Sequence, residues 1–128
     1  MQRFEIPMKL PGANDYIKKS YASRYDGGKL KKNTEADIIT CIRAGRVKKI
    51  KRPIFIKFIW CEGTKKRDKD NVAFAKKFIL DAMQKRKVLP DDDNNYIMGF
   101  ADYFVYGKGQ KVVVEIYDCD EVEVGDGV

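Results

Sequence analysis

The sequence predicts a single α+β domain in which a mixed β-sheet carries two main helices, and three observations predict it. The chain has 128 residues, 44% hydrophobic and 12% aromatic, enough for one substantial core and too little for two. Its apolar residues alternate between a period of two and a period near 3.6 in the order β, α, β, α, β, β. No repeat, linker or low-complexity stretch breaks that order, so residues 1–118 read as the domain and the acidic CDEVEVGDGV at 119–128 as a fraying tail.

Each element has its own signal. RFEIPMKL sets Phe4, Ile6 and Met8 against Arg3, Glu5 and Lys9, a strand with one buried face that stops at PGAN. NTEADIITCIRAGR puts Ile38, Ile39, Cys41 and Ile42 at helical spacing, which predicts a helix over about 29–45 with Asn33 or Thr34 as cap. RPIFIKFIWCEG is β-branched and aromatic, a strand at 53–61 ended by Gly63. In DNVAFAKKFILDAMQKRKVLP the stripe Val72, Ala75, Phe78, Ile79, Ala82 and Met83 predicts a helix over about 71–86, blocked further on by Pro90. NYIMGFADYFVYG and QKVVVEIYD then read as two strands joined by GKG, a loop of hairpin length.

Composition removes whole classes of chemistry. The chain has no histidine, which excludes serine-protease-like triads, HNH-type nucleases and zinc deaminases. Catalysis has to come from carboxylates, lysines or an oxygen-held metal, and oxygen ligands favour magnesium, manganese or calcium. Cys41, Cys61 and Cys119 are odd in number and form no Cys-x-x-Cys pair, so they read as reduced thiols. With no apolar run long enough for a bilayer or a secretory signal, the chain is expected to be soluble and cytoplasmic.

Charge is unevenly divided. Residues 1–67 carry 18 Lys+Arg against 6 Asp+Glu, and residues 68–128 carry 8 against 13, so a basic half of net +12 precedes an acidic half of net −5. A basic half points to a polyanionic partner, nucleic acid first, or to a solvated lysine-rich surface. Lys29, Lys31 and Lys32, then Lys48, Lys49, Lys51 and Arg52, then Lys65, Lys66 and Arg67 are the candidate backbone contacts.

Against this background RDKDN at 67–71 and LPDDDNN at 89–95 concentrate carboxylates. Helix capping and turn formation explain each taken singly. A calcium loop starting at Asp91 fails, because Tyr96 stands where glycine is needed and Asp102 where the bidentate glutamate belongs. What remains is a looser carboxylate site, open to phosphate oxygens and water, of the kind used in magnesium-dependent phosphodiester cleavage without histidine.

RDKDNVAFAKKFILDAMQKRKVLPDDDNNYI resembles the RusA-like family of Holliday junction resolvases: Asp-x-Asp-Asn at a helix start, a helix with a lysine and an Asp-Ala-Leu-like triplet, and an acidic pair before a strand. LPGANDYI also resembles that family's opening loop. The resemblance implies a homodimeric, metal-dependent endodeoxyribonuclease for branched DNA, with Mg²⁺, or Mn²⁺ in its place, held by Asp68, Asp70 and Asp92; a phage or prophage origin fits the family. Asp91 and Asp93 are the alternative registers for the third ligand. The family's catalytic lysine position holds Phe74; counted back from Asp81 the match is Lys77, with Lys76 beside it. Seven residues at about 100° each bring Lys77 within roughly 20° of Asp70 on a helix. Such a helix would be about 24 Å long, so Asp92 meets Asp70 only if the loop folds back or if a second subunit completes the site. The competing expectation is a basic DNA-binding module whose acidic clusters only cap a helix and fill a turn.

Overall fold

The computed structural model describes residues 1–90 and 95–121. Its elements are β1 (Gln2–Ile6), α1 (Ala13–Ala22), α2 (Arg24–Ala44), β2 (Ile54–Glu62), α3 (Lys69–Ala73), α4 (Lys76–Lys85), β3 (Ile97–Tyr106) and β4 (Lys111–Asp118), with a short 3₁₀ turn at Cys119–Glu121. The α+β class and the mixed sheet are as the sequence predicts. The helix expected over 29–45 starts earlier and has a further helix before it, the one expected over 71–86 is two segments, and the strand order is one that the sequence conceals.

α1 falls in the lysine-rich stretch that carried no helical signal. It buries no residue, and Ile17 and Tyr21 are exposed, so there is no apolar stripe for periodicity to detect. Its start is fixed locally: the Asp15 carboxylate accepts from the Gly12 N–H at 2.9 Å, and the Asn71 side chain accepts from the Asn14 N–H at 2.9 Å. Gly12 has no room for a side chain, since an added Cβ would lie 2.5 Å from Asn71 Oδ1. α2 then starts well before the expected residue 29. Its cap is Ser23, whose hydroxyl accepts from the Asp26 N–H at 2.9 Å, and not Asn33 or Thr34.

The helix expected over 71–86 is two segments joined by a tightened turn at Phe74–Ala75. There Ala75 and Lys77 bond three residues back, to Val72 and Phe74, where α-helical bonds would reach four back. Phe78, Ile79, Ala82 and Met83 are buried as their spacing requires, and they pack α4 against the sheet together with Ile38 and Ile42 of α2. Fully burying side chains of this size stabilises by about 1.5–3 kcal/mol each.

The sheet order is β1-β4-β2-β3. β2 lies between β3, which runs parallel to it, and β4, which runs antiparallel. The expected hairpin is therefore corrected: β3 and β4 do not pair, and the loop at 107–110 steps over β2. Two inter-strand spacings of about 4.8 Å make that step, which is short enough for four residues. Gly107 and Gly109 supply it with positive φ values of 85° and 89°, a region that side chains disfavour. β2 is central because its helix-facing residues Ile54, Ile56, Phe58 and Trp60 are the largest apolar series in the chain, each at most 1% exposed. α2 and α4 supply core residues on that face, and α1 lies against α2 and α3. The three cysteines are free, and burial, with the Asp37 charge second, pushes the Cys41 thiol up. Among the described residues no helix is long and apolar enough to cross a membrane.

Candidate active site

The β2–α3 connection is held by a single arginine. Arg67 grips Glu62, the buried last residue of β2, with Nε and Nη2 at 2.8 and 2.9 Å, and its Nη1 donates to the Leu10 carbonyl at 3.0 Å. The clamp pins the loop to the end of β2, and the next residues turn outward. Asp68 occupies the cap position of α3 yet makes no side-chain cap bond, and Asp70 in the first turn accepts, among the described residues, only from the Asn71 N–H at 3.0 Å. Both carboxylates are exposed, and neither pairs with a described cation.

Two exposed carboxylates two residues apart repel each other unless something cationic stands between them. All their donor atoms are oxygen, and most of their lone pairs face solvent, so the pair fits a hard divalent cation and not zinc or a haem iron. Among the described residues no three His, Cys, Asp or Glu side chains group as a metal site. The third expected ligand, Asp92, and its alternatives Asp91 and Asp93 lie outside the described residues.

The two lysines that open α4 divide their work. Lys76 turns inward: its ammonium donates to Asp102 Oδ2 at 2.7 Å and sits over the rings of Phe58 and Phe100 at 5.4 and 4.8 Å. Trp60 Nε1 donates to the other oxygen of Asp102 at 2.9 Å. Lys77 is exposed, in a shallow groove with Ala73, Phe74, Leu80 and Asp81. The tightened turn adds about 20° per residue relative to an α-helix, so the relation of Lys77 to Asp70 is not that of one continuous helix.

The candidate DNA contacts also separate. Arg67 is consumed by Glu62. Lys31 is directed at Glu35 and Asp81, 3.6 and 3.4 Å away; burial works against its charge, but the two carboxylates outweigh it and raise its pKa. Glu35 is 1% exposed and also binds Lys85, tying α2 to α4. Lys48, Lys49, Lys51 and Arg52 line an open groove beside the start of β1 and the end of β4, where the Gln2 amide holds the Lys48 backbone through its N–H and C=O. Lys29 and Lys32 are exposed on α2, and Lys65 lies over the Tyr106 ring at 5.3 Å. Lys66 is exposed.

Sequence reasoning missed the Trp60–Asp102–Lys76 cluster. A faint signal existed, since a tryptophan on a buried strand needs an acceptor for its indole N–H and Asp102 is the carboxylate on the neighbouring strand.

None of the curated proteins compared matches the chain. The family model described as Endodeoxyribonuclease RusA matches residues 2–117, nearly the whole length, from the first residue of β1 to the last but one of β4. The protein with this carboxylate pair at the start of α3 belongs to the RusA endodeoxyribonuclease family.

Proposed function

We propose that the chain is a Mg²⁺-dependent endodeoxyribonuclease that resolves Holliday junctions by paired nicks, working as a homodimer. One observation carries the reading: Asp68 and Asp70 present two exposed carboxylates, without a described cationic partner, on a family member of formal net charge +7. Asp68, Asp70 and Asp92 would hold the metal. Bound there, Mg²⁺, or Mn²⁺ in its place, would polarise the scissile phosphate and acidify the attacking water.

The chain's own residues do the rest. The Arg67–Glu62 clamp fixes the loop so that Asp68 and Asp70 stay turned toward the substrate. Lys77 brings a positive charge to the phosphate as charge builds up in the transition state. Lys29, Lys32, Lys48, Lys49, Lys51 and Arg52 grip the DNA backbone without reading bases.

The homodimer has support in a span. Asp68 follows the Glu62 end of β2, and Lys69 sits over Phe104 and Tyr106 at the matching end of β3. Tyr96, which follows the acidic segment, bonds Ile54 at the opposite end, its carbonyl accepting at 2.7 Å. Eight steps of strand at about 3.3 Å separate those ends by roughly 26 Å. In a homodimer, a ligand from a second subunit would complete this carboxylate pair without bridging that length.

The competing reading, a non-catalytic DNA-binding module, draws on the position of Asp68 as the cap of α3. The absent cap bond weighs against it. A synthetic four-way junction incubated with the protein and Mg²⁺ separates the two. Paired, symmetric nicks are expected; binding that yields no nicks in Mg²⁺ or Mn²⁺ establishes the module.

A further inference from the structure

The sharp corner between α1 and α2 carries a feature that the carboxylate site does not use. Ser23 is the only residue between the two helices, extended at φ −168° and ψ 155°. The corner is tight, since a Cβ on Gly27 would lie 2.5 Å from Ser20 Oγ. Tyr21 and Tyr25 flank it and are 87% and 73% exposed. Beside Tyr25 runs an open groove of about 450 Å³ lined by Arg24, Tyr25, Gly28, Lys29, Lys32 and Asn33.

We propose that this groove is a nucleotide subsite that takes an unstacked base, with its phosphate, from the branch of a DNA substrate. The proposal rests on the branched-DNA reading above and adds a place where the branch itself is felt. An exposed tyrosine ring offers a face on which any base stacks, and the Asn33 amide both donates and accepts at a base edge. Arg24, Lys29 and Lys32 pair with no described carboxylate, because the neighbouring Lys31 alone turns inward to Glu35 and Asp81. They are left to meet phosphate. The floor of the groove at Gly28 is open, with no atom within 4 Å of an added Cβ.

Exposed aromatics more commonly mark a protein interface. Charge decides here against a second copy: residues 13–33 hold six Lys or Arg against two Asp, net +4, and self-association would oppose +4 to +4. A paired duplex does not satisfy the tyrosines either, since its bases are already stacked. A branch supplies unstacked bases next to phosphates.

The test compares a fully paired duplex with the same duplex bearing a five-thymine flap, by fluorescence anisotropy in EDTA so that nothing is cut. The wild-type protein is expected to favour the flap. Tyr25→Ala should lose that preference by about tenfold or more, the scale of one base–aromatic stack, while duplex binding stays nearly constant. Tyr25→Phe keeps a ring and should keep the preference. Gly28→Leu fills the groove in a helix that tolerates it, and should lose the preference with melting unchanged or raised. Equal losses on both DNAs, or no loss, overturn the subsite, as does a Tyr25→Ala protein that light scattering shows to have fallen from dimer to monomer. Wild-type protein that binds neither DNA removes the branched-DNA reading and the subsite together. Wild type that nicks a junction while Tyr25→Ala matches it on the flap removes the subsite alone.

Discussion

Arg67 shows how one residue changes meaning between sequence and structure. In the run KKR it reads as a phosphate contact, but its guanidinium is spent on Glu62 and the Leu10 carbonyl. Glu62 is 6% exposed, so removing its partner strands a buried carboxylate. Arg67→Ala should therefore cost about 3–5 kcal/mol of stability, the range for breaking a buried ion pair from one side. Arg67→Lys should recover only part of it, because an ammonium cannot match the two-pronged geometry. Urea unfolding followed by circular dichroism measures both. A variant of unchanged stability with weakened DNA binding would restore the reading as a surface contact. No sequence pattern separates Arg67 from Lys65 and Lys66, because the deciding partner is five residues away at the end of a strand.

Among the elements, β2 and α4 were legible because burial shapes composition and spacing: the β-branched and aromatic run IFIKFIW and the Phe78, Ile79, Ala82, Met83 stripe. α1 was not, because it buries no residue fully and only Tyr16 packs on the core, and the start of α2 was not, because its first turns lie on that same solvated corner. The separation of β3 from β4 was also hidden, since a glycine-rich loop of four residues serves a hairpin or a step over one strand equally well. What fastens α4 over β3 is a cluster no local pattern encodes, Lys76 and Trp60 sharing the carboxylate of Asp102. Asp102→Asn keeps an oxygen for the indole and takes the charge from Lys76. It should cost about 1.5–3 kcal/mol, the worth of a bond to a charged group, and shift the emission of Trp60, the single tryptophan of the chain. Lys77→Ala should do neither, while slowing nicking. An Asp102→Asn protein with unaltered melting and emission would show that this bond does not hold α4.

For the whole molecule, composition carried far: an absent histidine and a basic half narrowed the chemistry to oxygen-held metals and polyanions, and the family match agrees with a nuclease. Of the candidate site, the helix start that carries Asp68 and Asp70 was legible, because helix starts leave a local signature. Their freedom from any described ion pair was not, since it depends on Arg67 being drawn away behind them. The account stands on the claim that this freedom exists for a metal. Asp70→Asn tests it most directly, because the change removes one charge and almost no volume, and asparagine starts a helix about as well as aspartate. The measurement is Mg²⁺-dependent nicking of a four-way junction beside junction binding on the same folded sample. Nicking should fall by at least a hundredfold while binding holds or tightens, since a negative charge facing phosphates is gone, with Mn²⁺ restoring part of the rate. Nicking by Asp70→Asn at the wild-type rate would contradict the account.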